Sequence, residues 1–354
     1  MNAAESTCRK VRIVLGCDCD PDRWMFGGSR LDQPHEPLVW RGLEEGFYTL
    51  VSMLDDLPFP VPVTWNVRCD EQVAFCHGHA GWSLDHHGKF WDAARRRGDE
   101  IAWHNHTWRW SNNRNSWCQE TSDAAWIAEG FEIWGEAFRV GAGEAAHTSH
   151  GGWFFQNGLT LAALARAGVR VDYSALPGRV QQGFGGVDGS DFANHYDWSI
   201  TPRTLYHPSA ADYRRPAQKG EAALPILVAS TYTFQSRLAD AFQVASYIVR
   251  RKSGGQNLAR ARSAMSIITI TNHPALFAGL VSFAIKEKPE IMFLYFHADE
   301  LLPEKPTWRT RLFSPAHIVA NLRHLSDRFT RAGLEPVFGT CRGLTAPHVH
   351  GEAP

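Results

Sequence analysis

Short apolar runs alternate with stretches of helical spacing along most of this chain. Val11-Arg-Ile-Val-Leu15 reads as a buried strand. Residues 41–54 then place Leu43, Phe47, Leu50, Val51 and Leu54 on one helical face, and Val61–Val67 reads as the next strand. The spacing predicts a helix over Leu84–Arg97 stopped by Gly98, a strand over Glu100–Trp103 and a helix over Asp123–Phe138 capped by Ser122 or Asp123. A helix over Leu159–Ala167, closed by Gly168, leads into a strand over Val169–Tyr173. Residues 178–220 break this rhythm with Gly, Pro, Asp and His, and predict a long irregular excursion across one face. It resumes with a strand over Ile226–Ser230, a helix around Leu238–Val249 and strands over Ile267–Thr271 and Ile291–Phe296. A helix over Ala316–Ala332 and a strand over Glu335–Phe338 close the series. Such alternation predicts an α/β fold, a parallel sheet or barrel with helices outside. No internal repeat or linker interrupts it, so residues 1–354 are expected to form a single domain with a decorated rim.

Bulk numbers narrow the function classes. The 354 residues are 44% hydrophobic and 21% charged, the composition of a globular protein with a large core. A net charge of −1 without a long basic run speaks against nucleic acid or an anionic membrane as the main partner. Seven scattered cysteines without a CxxC pair argue against a disulfide framework and against a zinc ribbon. No apolar stretch has the length of a signal peptide or a membrane span, and a cytoplasmic protein is expected. Fourteen tryptophans are unusual, and some could line a cleft for a ring-bearing ligand, although core packing is the commoner use.

Two segments carry candidate chemistry. Gly16-Cys-Asp18-Cys-Asp20 ends the first strand, and His104-Asn-His106 follows the strand Glu100–Trp103. Residues i and i+2 of a strand share a face, so each pair can converge on one point while Cys17 and Cys19 turn to the packed side. Imidazole plus carboxylate suits a divalent transition metal, and an open coordination position would make the centre catalytic. His77-Gly-His79 and Asp85-His-His87 also have the look of metal clusters, but their place in a polar loop suggests rim residues.

In this order the elements resemble the polysaccharide deacetylase family, whose fold is a distorted β/α barrel. Gly98-Asp-Glu-Ile-Ala-Trp-His104 is similar to its histidine motif, and Tyr295-Phe-His297 to its last strand. Ser149-His-Gly-Gly-Trp153, Asp172–Gly178, Asp197-Trp198 and Tyr206–Ser209 are similar to a subgroup of it. These matches run from about residue 11 to 344. The resemblance implies Asp20, His104 and His106 as metal ligands, Asp18 as general base and His297 as general acid. It also implies His150, Trp153, Trp108, Asp197 and Trp198 at the substrate. Three departures stand out. The aspartates are spaced Asp18-Cys-Asp20 rather than adjacent, as in a subgroup acting on lipid-linked amino sugars. Trp108 occupies the family's second histidine position, with His106 the nearest substitute. Ser149 replaces an arginine that orients the base, so His150 or His147 would have to stand in or add a ligand.

The leading expectation is a metal-dependent hydrolase that removes an acetyl or related acyl group from an N-acylated amino sugar or sugar-containing metabolite. Zinc is the default metal, with nickel, cobalt or iron as alternatives. A hydrolase of a non-sugar amide bond is the runner-up. A non-catalytic sugar-binding descendant, suggested by the missing arginine, is a third reading. The expected partner is a small molecule or glycan.

Overall fold

A computed structural model describes residues 8–23, 38–113, 116–181, 196–234, 266–267, 269–302 and 313–349. Eight parallel strands form its main sheet: β1 (Arg9–Cys19), β2 (Val63–Arg68), β3 (Glu100–Asn105), β4 (Thr148–Gly151), β5 (Val171–Ala175), β6 (Leu227–Ser230), β7 (Ile291–His297) and β8 (Leu334–Gly339). Their order is β6-β5-β4-β3-β2-β1-β7, and β8 pairs with the first half of β1. Because β7 follows β1 from Arg12 to Asp18, β8 and β2 share the other edge, at residues 9–14 and 15–19. A single parallel bridge, Thr231 to Phe293, brings the two outer strands together, so the sheet curls nearly closed into a barrel. This is the expected α/β barrel, and the helices lie outside it.

Strands β2 to β5 and most of β1, β6 and β7 are buried on both faces, whereas β8 is only partly covered, and the two faces differ in kind. Ile13, Leu15, Cys17 and Cys19 of β1 face the outer core together with Trp65, Trp103, Met292 and Leu294. Val14, Tyr173, Leu227, Ala229 and Phe293 fill the barrel interior. Inward positions taken by twos lead from Val14 to Asp18 on β1 and from Phe293 to His297 on β7, and from Thr64 to Arg68 on β2, Ala102 to His104 on β3 and Thr148 to His150 on β4. The carboxyl end of the barrel is therefore polar and ionisable over an apolar plug, the end where parallel α/β sheets carry their sites.

The nine helices among the described residues are α1 (Arg41–Asp55), α2 (Glu71–His77), α3 (Trp82–His86), α4 (Gly88–Arg97), α5 (Ala124–Ala142), α6 (Gly158–Arg166), α7 (Pro274–Glu287), α8 (Ala316–Arg331) and α9 (Cys341–Val349). Asp123 caps α5 by accepting from Trp126 N, and Asn157 caps α6 with a reciprocal Thr160 contact. Close approach decides one packing: a side chain at Gly42 on α1 would collide with the backbone of Ala298 and Asp299, so this glycine lets α1 lie against the turn after β7. Gly42 N also donates to the buried Asp22 Oδ1.

Two expectations need correction, and one helix adds to them. The helix expected over Leu84–Arg97 is two helices separated at His87, whose backbone (φ −100°, ψ 20°) leaves the helical region. The strand expected over Ile267–Thr271 is confined, among the described residues, to Ser266–Ile267; residues 269–272 form a turn in which Asn272 Oδ1 accepts from Thr269 N. Helix α7 was not foreseen, because Pro-Ala-Leu-Phe-Ala-Gly-Leu-Val has no polar face to give it a period. The helix expected around Leu238–Val249 and part of the 178–220 excursion lie outside the described residues.

Candidate active site

The ends of β1 and β3 build the first half of the site. β1 ends at Cys19, and the alternation carries one residue further, so Asp18 and Asp20 both turn inward. β3 ends at Asn105, and His104 and His106 share a face in the same way. His104 Nε2 lies 3.2 Å from Asp20 Oδ2 and 3.2 Å from His106 Nε2, and His106 Nε2 lies 3.3 Å from Asp20 Oδ1. Ligand atoms at 2.0–2.2 Å from a tetrahedral zinc stand about 3.3–3.6 Å apart, so each of these separations is close to one edge of such a site, the two to Asp20 being made to its two different oxygens.

The electrostatics of the triangle call for positive charge. Burial works against the Asp20 carboxylate, yet His104 and His106 outweigh it and hold its pKa well below the carboxylate range. Burial also opposes the His104 imidazolium, but Asp20 and Asp18 push its pKa up to about 8. His106 moves the other way, pushed down to about 4 by burial and then by the Arg68 guanidinium. The two ring nitrogens face each other at 3.2 Å, a separation that one shared N–H proton satisfies, and a divalent ion in its place would engage all three side chains at once. Arg68, wholly buried at the end of β2, donates to Asp20 Oδ1 at 3.0 Å and also binds Asp70 and Gln72, which leaves Asp20 Oδ2 to His104.

Asp18 stands beside the triangle and is held from other strands. Asn66 Nδ2 and His150 Nδ1 both donate to its Oδ1, each at 2.8 Å. His104 Nδ1 is 3.9 Å from the same oxygen, and His297 Nε2 is 3.9 Å from Oδ2. Burial opposes the Asp18 carboxylate, but His150, His104 and His297 outweigh it and hold the group ionised well below its ordinary range. The His150 ring stacks on Tyr173 with centroids 4.5 Å apart. Its Nε2 faces Thr231 Oγ1 at 3.4 Å, and that hydroxyl donates its own proton to Tyr173 O, so the ring meets acceptors at both nitrogens. Ser149, which occupies the arginine position, points to the other face of β4 and donates to Asp172.

His297 is tied to the turn that follows it. Its Nδ1 lies 3.5 Å from Glu300 Oε1; Glu300 in turn accepts from Thr271 and from Arg23, and Arg23 also grips Asp299 with two nitrogens at 2.7 Å. Burial and the Arg23 charge oppose the His297 imidazolium, but Glu300 and Asp18 prevail and raise its pKa above the ordinary histidine value.

Aromatic side chains border this cluster on the β4 side. Trp108 stacks on His106 with centroids 5.8 Å apart and meets the edge of Trp153 at 5.3 Å. Trp153 is 38% exposed in an otherwise buried neighbourhood. It and Phe154 adopt left-handed backbone (φ 56° and 60°), which costs a non-glycine residue about 1–2 kcal/mol each. The tight turn is possible because residue 152 is glycine: any side chain there would overlap the His106 ring. Trp198 is fully buried and supports the turn from behind by donating to Phe154 O at 2.9 Å. Asp197 accepts from Ser199 and Arg214, one step further from the cluster. His147 is not part of either donor group that brings Asp18 or Asp20 together with histidines.

Asn66, Arg68, Tyr173, Arg23 and Glu300 were not foreseen. The inward alternation of β2, Thr64-Asn66-Arg68, is a signal that could have marked two of them.

No family model and no curated protein matches this chain. Among solved structures, it is similar to a protein assigned as a glycoside hydrolase/deacetylase from Parabacteroides distasonis, with a TM-score of 0.51, 15% identity, and coverage of 95% of this chain and 70% of that one. It is also similar to a protein assigned as a polysaccharide deacetylase from Mycobacterium smegmatis, with a TM-score of 0.48, 14% identity, and coverage of 99% and 92%. At such identities the likeness is one of fold, and the fold is that of the deacetylase-type β/α barrel.

Proposed function

We propose that this protein is a metal-dependent hydrolase that removes an acetyl or related acyl group from the nitrogen of an amino sugar or sugar-containing metabolite. The observation that carries the reading is the triangle of Asp20, His104 and His106 with Asp18 and His297 beside it. Asp20, His104 and His106 would hold a divalent metal, with zinc first and nickel, cobalt or iron as alternatives. When bound, the metal supplies Lewis-acid polarisation of the acyl carbonyl.

The remaining work falls to the chain's own side chains. Asp18, held ionised and aimed by Asn66 and His150, takes the proton of the attacking water. His297, kept protonated by Glu300 and Asp18, gives its proton to the departing amine. Trp153, exposed and backed by the buried Trp108, offers an aromatic face against which a sugar ring can lie, with a glycan or small-molecule substrate as partner. Two N–H donors on Asp18 provide the orientation that an arginine supplies elsewhere, which favours a catalytic protein over a sugar-binding descendant.

The test is release of free acetate from a panel of N-acetylated amino sugars by protein loaded with zinc or cobalt. Metal-dependent release supports the reading. Release from non-sugar amides alone would select the runner-up. Tight sugar binding with no release under any of these metals would overturn hydrolysis.

A further inference from the structure

A second group of histidines lies behind the barrel wall, between α1 and the α3–α4 junction. Glu44 Oε1 is 3.2 Å from His87 Nε2 and 3.9 Å from His86 Nε2, and the three ligand atoms all fall within 4.8 Å of one another. We propose that Glu44, His86 and His87 bind a divalent transition metal, separate from the strand-end triangle, that fastens α1 to the α3–α4 junction.

The backbone explains how two adjacent histidines can serve one ion. In a continuous helix neighbouring side chains diverge by about 100°. The helix breaks at His87, and the break lets both imidazoles reach the same carboxylate. The rings are held before any ion arrives. His86 stacks on Trp82 at 4.2 Å, and Trp82 stacks on His77 at 4.0 Å, so the indole is sandwiched between two imidazoles. His87 is buried, with Nδ1 3.2 Å from the Ser83 hydroxyl. That hydroxyl can donate to Nδ1 or accept from it, so Nε2 can exchange its proton for a metal without leaving a buried nitrogen unpaired.

Two imidazoles and a carboxylate form a borderline donor set suited to zinc, cobalt or nickel. The two distances to Glu44, 3.2 and 3.9 Å, bracket the tetrahedral edges of about 3.3–3.6 Å, and the imidazoles lie within 4.8 Å of each other. Glu44 and His86 are half exposed, so the ion has a path from solvent and an open fourth position on that side. His79 and Asp85 pair at 3.6 Å nearby and add acidic charge at its edge. The rings also pack around Trp40, whose indole donates to Cys19 O, one residue before Asp20. An ion here would therefore stiffen the wall behind the strand-end cluster without entering it.

Zinc alone, titrated into untagged protein and counted by equilibrium dialysis, tests the proposal. Wild type should bind two equivalents; His86→Ala and Glu44→Gln should each bind one, and His104→Ala should retain one. Glu44→Gln and His86→Ala lie on the surface and should keep wild-type circular dichroism. Zinc should raise the unfolding midpoint of His104→Ala but not that of the His86→Ala/His104→Ala double variant. One equivalent in wild type and in His104→Ala, with none in His86→Ala, would uphold this site and remove the strand-end metal. The same stoichiometry in wild type and His86→Ala, or none in His104→Ala, would overturn it.

Discussion

The two halves of the strand-end site are assembled by different means. Asp20, His104 and His106 come from two strand ends, each contributing residues one apart, and their ligand atoms meet at 3.2–3.3 Å. Asp18 and His297 are instead held by groups from elsewhere: Asn66 on β2, His150 on β4, and Glu300 and Arg23 around the turn after β7. In the function proposed above, the first half is the metal-donor set and the second a pair of proton carriers whose charge and aim are set by their neighbours. Strand periodicity is enough to build a donor set. Proton carriers need the whole barrel.

The largest expected effect separates the halves outright. His104→Ala should lose both bound metal and turnover, whereas Asp18→Asn should keep its metal and still lose on the order of 10³-fold or more in kcat. Metal content by atomic emission alongside the rate decides this, and equal metal loss in the two variants would merge Asp18 into the donor set. Next comes the group that aims the base. His150→Ala removes one of two N–H donors to Asp18 and should lower kcat by about 10- to 100-fold, with metal content and KM nearly unchanged. An unchanged rate would mean that Asn66 alone is sufficient.

A smaller change should appear at the acid. A general acid works only while protonated, so the rate falls as pH rises through the His297 pKa, which lies above the ordinary histidine value. Glu300→Gln removes a contact that raises that pKa, so the alkaline limb of kcat should move to lower pH. A stationary limb would take His297 out of the acid role. Smallest is the aromatic wall: Trp153→Ala should raise KM about 2- to 10-fold for a sugar substrate and leave kcat alone. No change in KM would leave Trp153 as packing for Trp108.

The same division explains what the sequence discloses. His104-Asn-His106 and Asp18-Cys-Asp20 are visible because strand geometry gives neighbours two apart a common direction, and His297 because it ends a long apolar run. His150 could be named only as the neighbour of a missing arginine. Glu300, Arg23 and Asn66 carry no local signal, since the contacts that give them meaning span 48 to 277 residues, apart from Glu300 to His297. Seven of the barrel strands were legible from their apolar runs, whereas β4, Thr-Ser-His-Gly, has none; α7 was hidden by having hydrophobic residues on every side and the break at His87 by a helical pattern that continues across it.

Gly152 has a consequence for comparing relatives. Its missing side chain is the room that the His106 ring occupies, though the two residues lie 46 positions apart. Within any set of homologous sequences the two should be inherited together. A lineage that acquires even alanine at this position must have moved or discarded the histidine, so column 152 would sort chains that retain this placement of His106 beside Asp20 and His104 from those that have abandoned it.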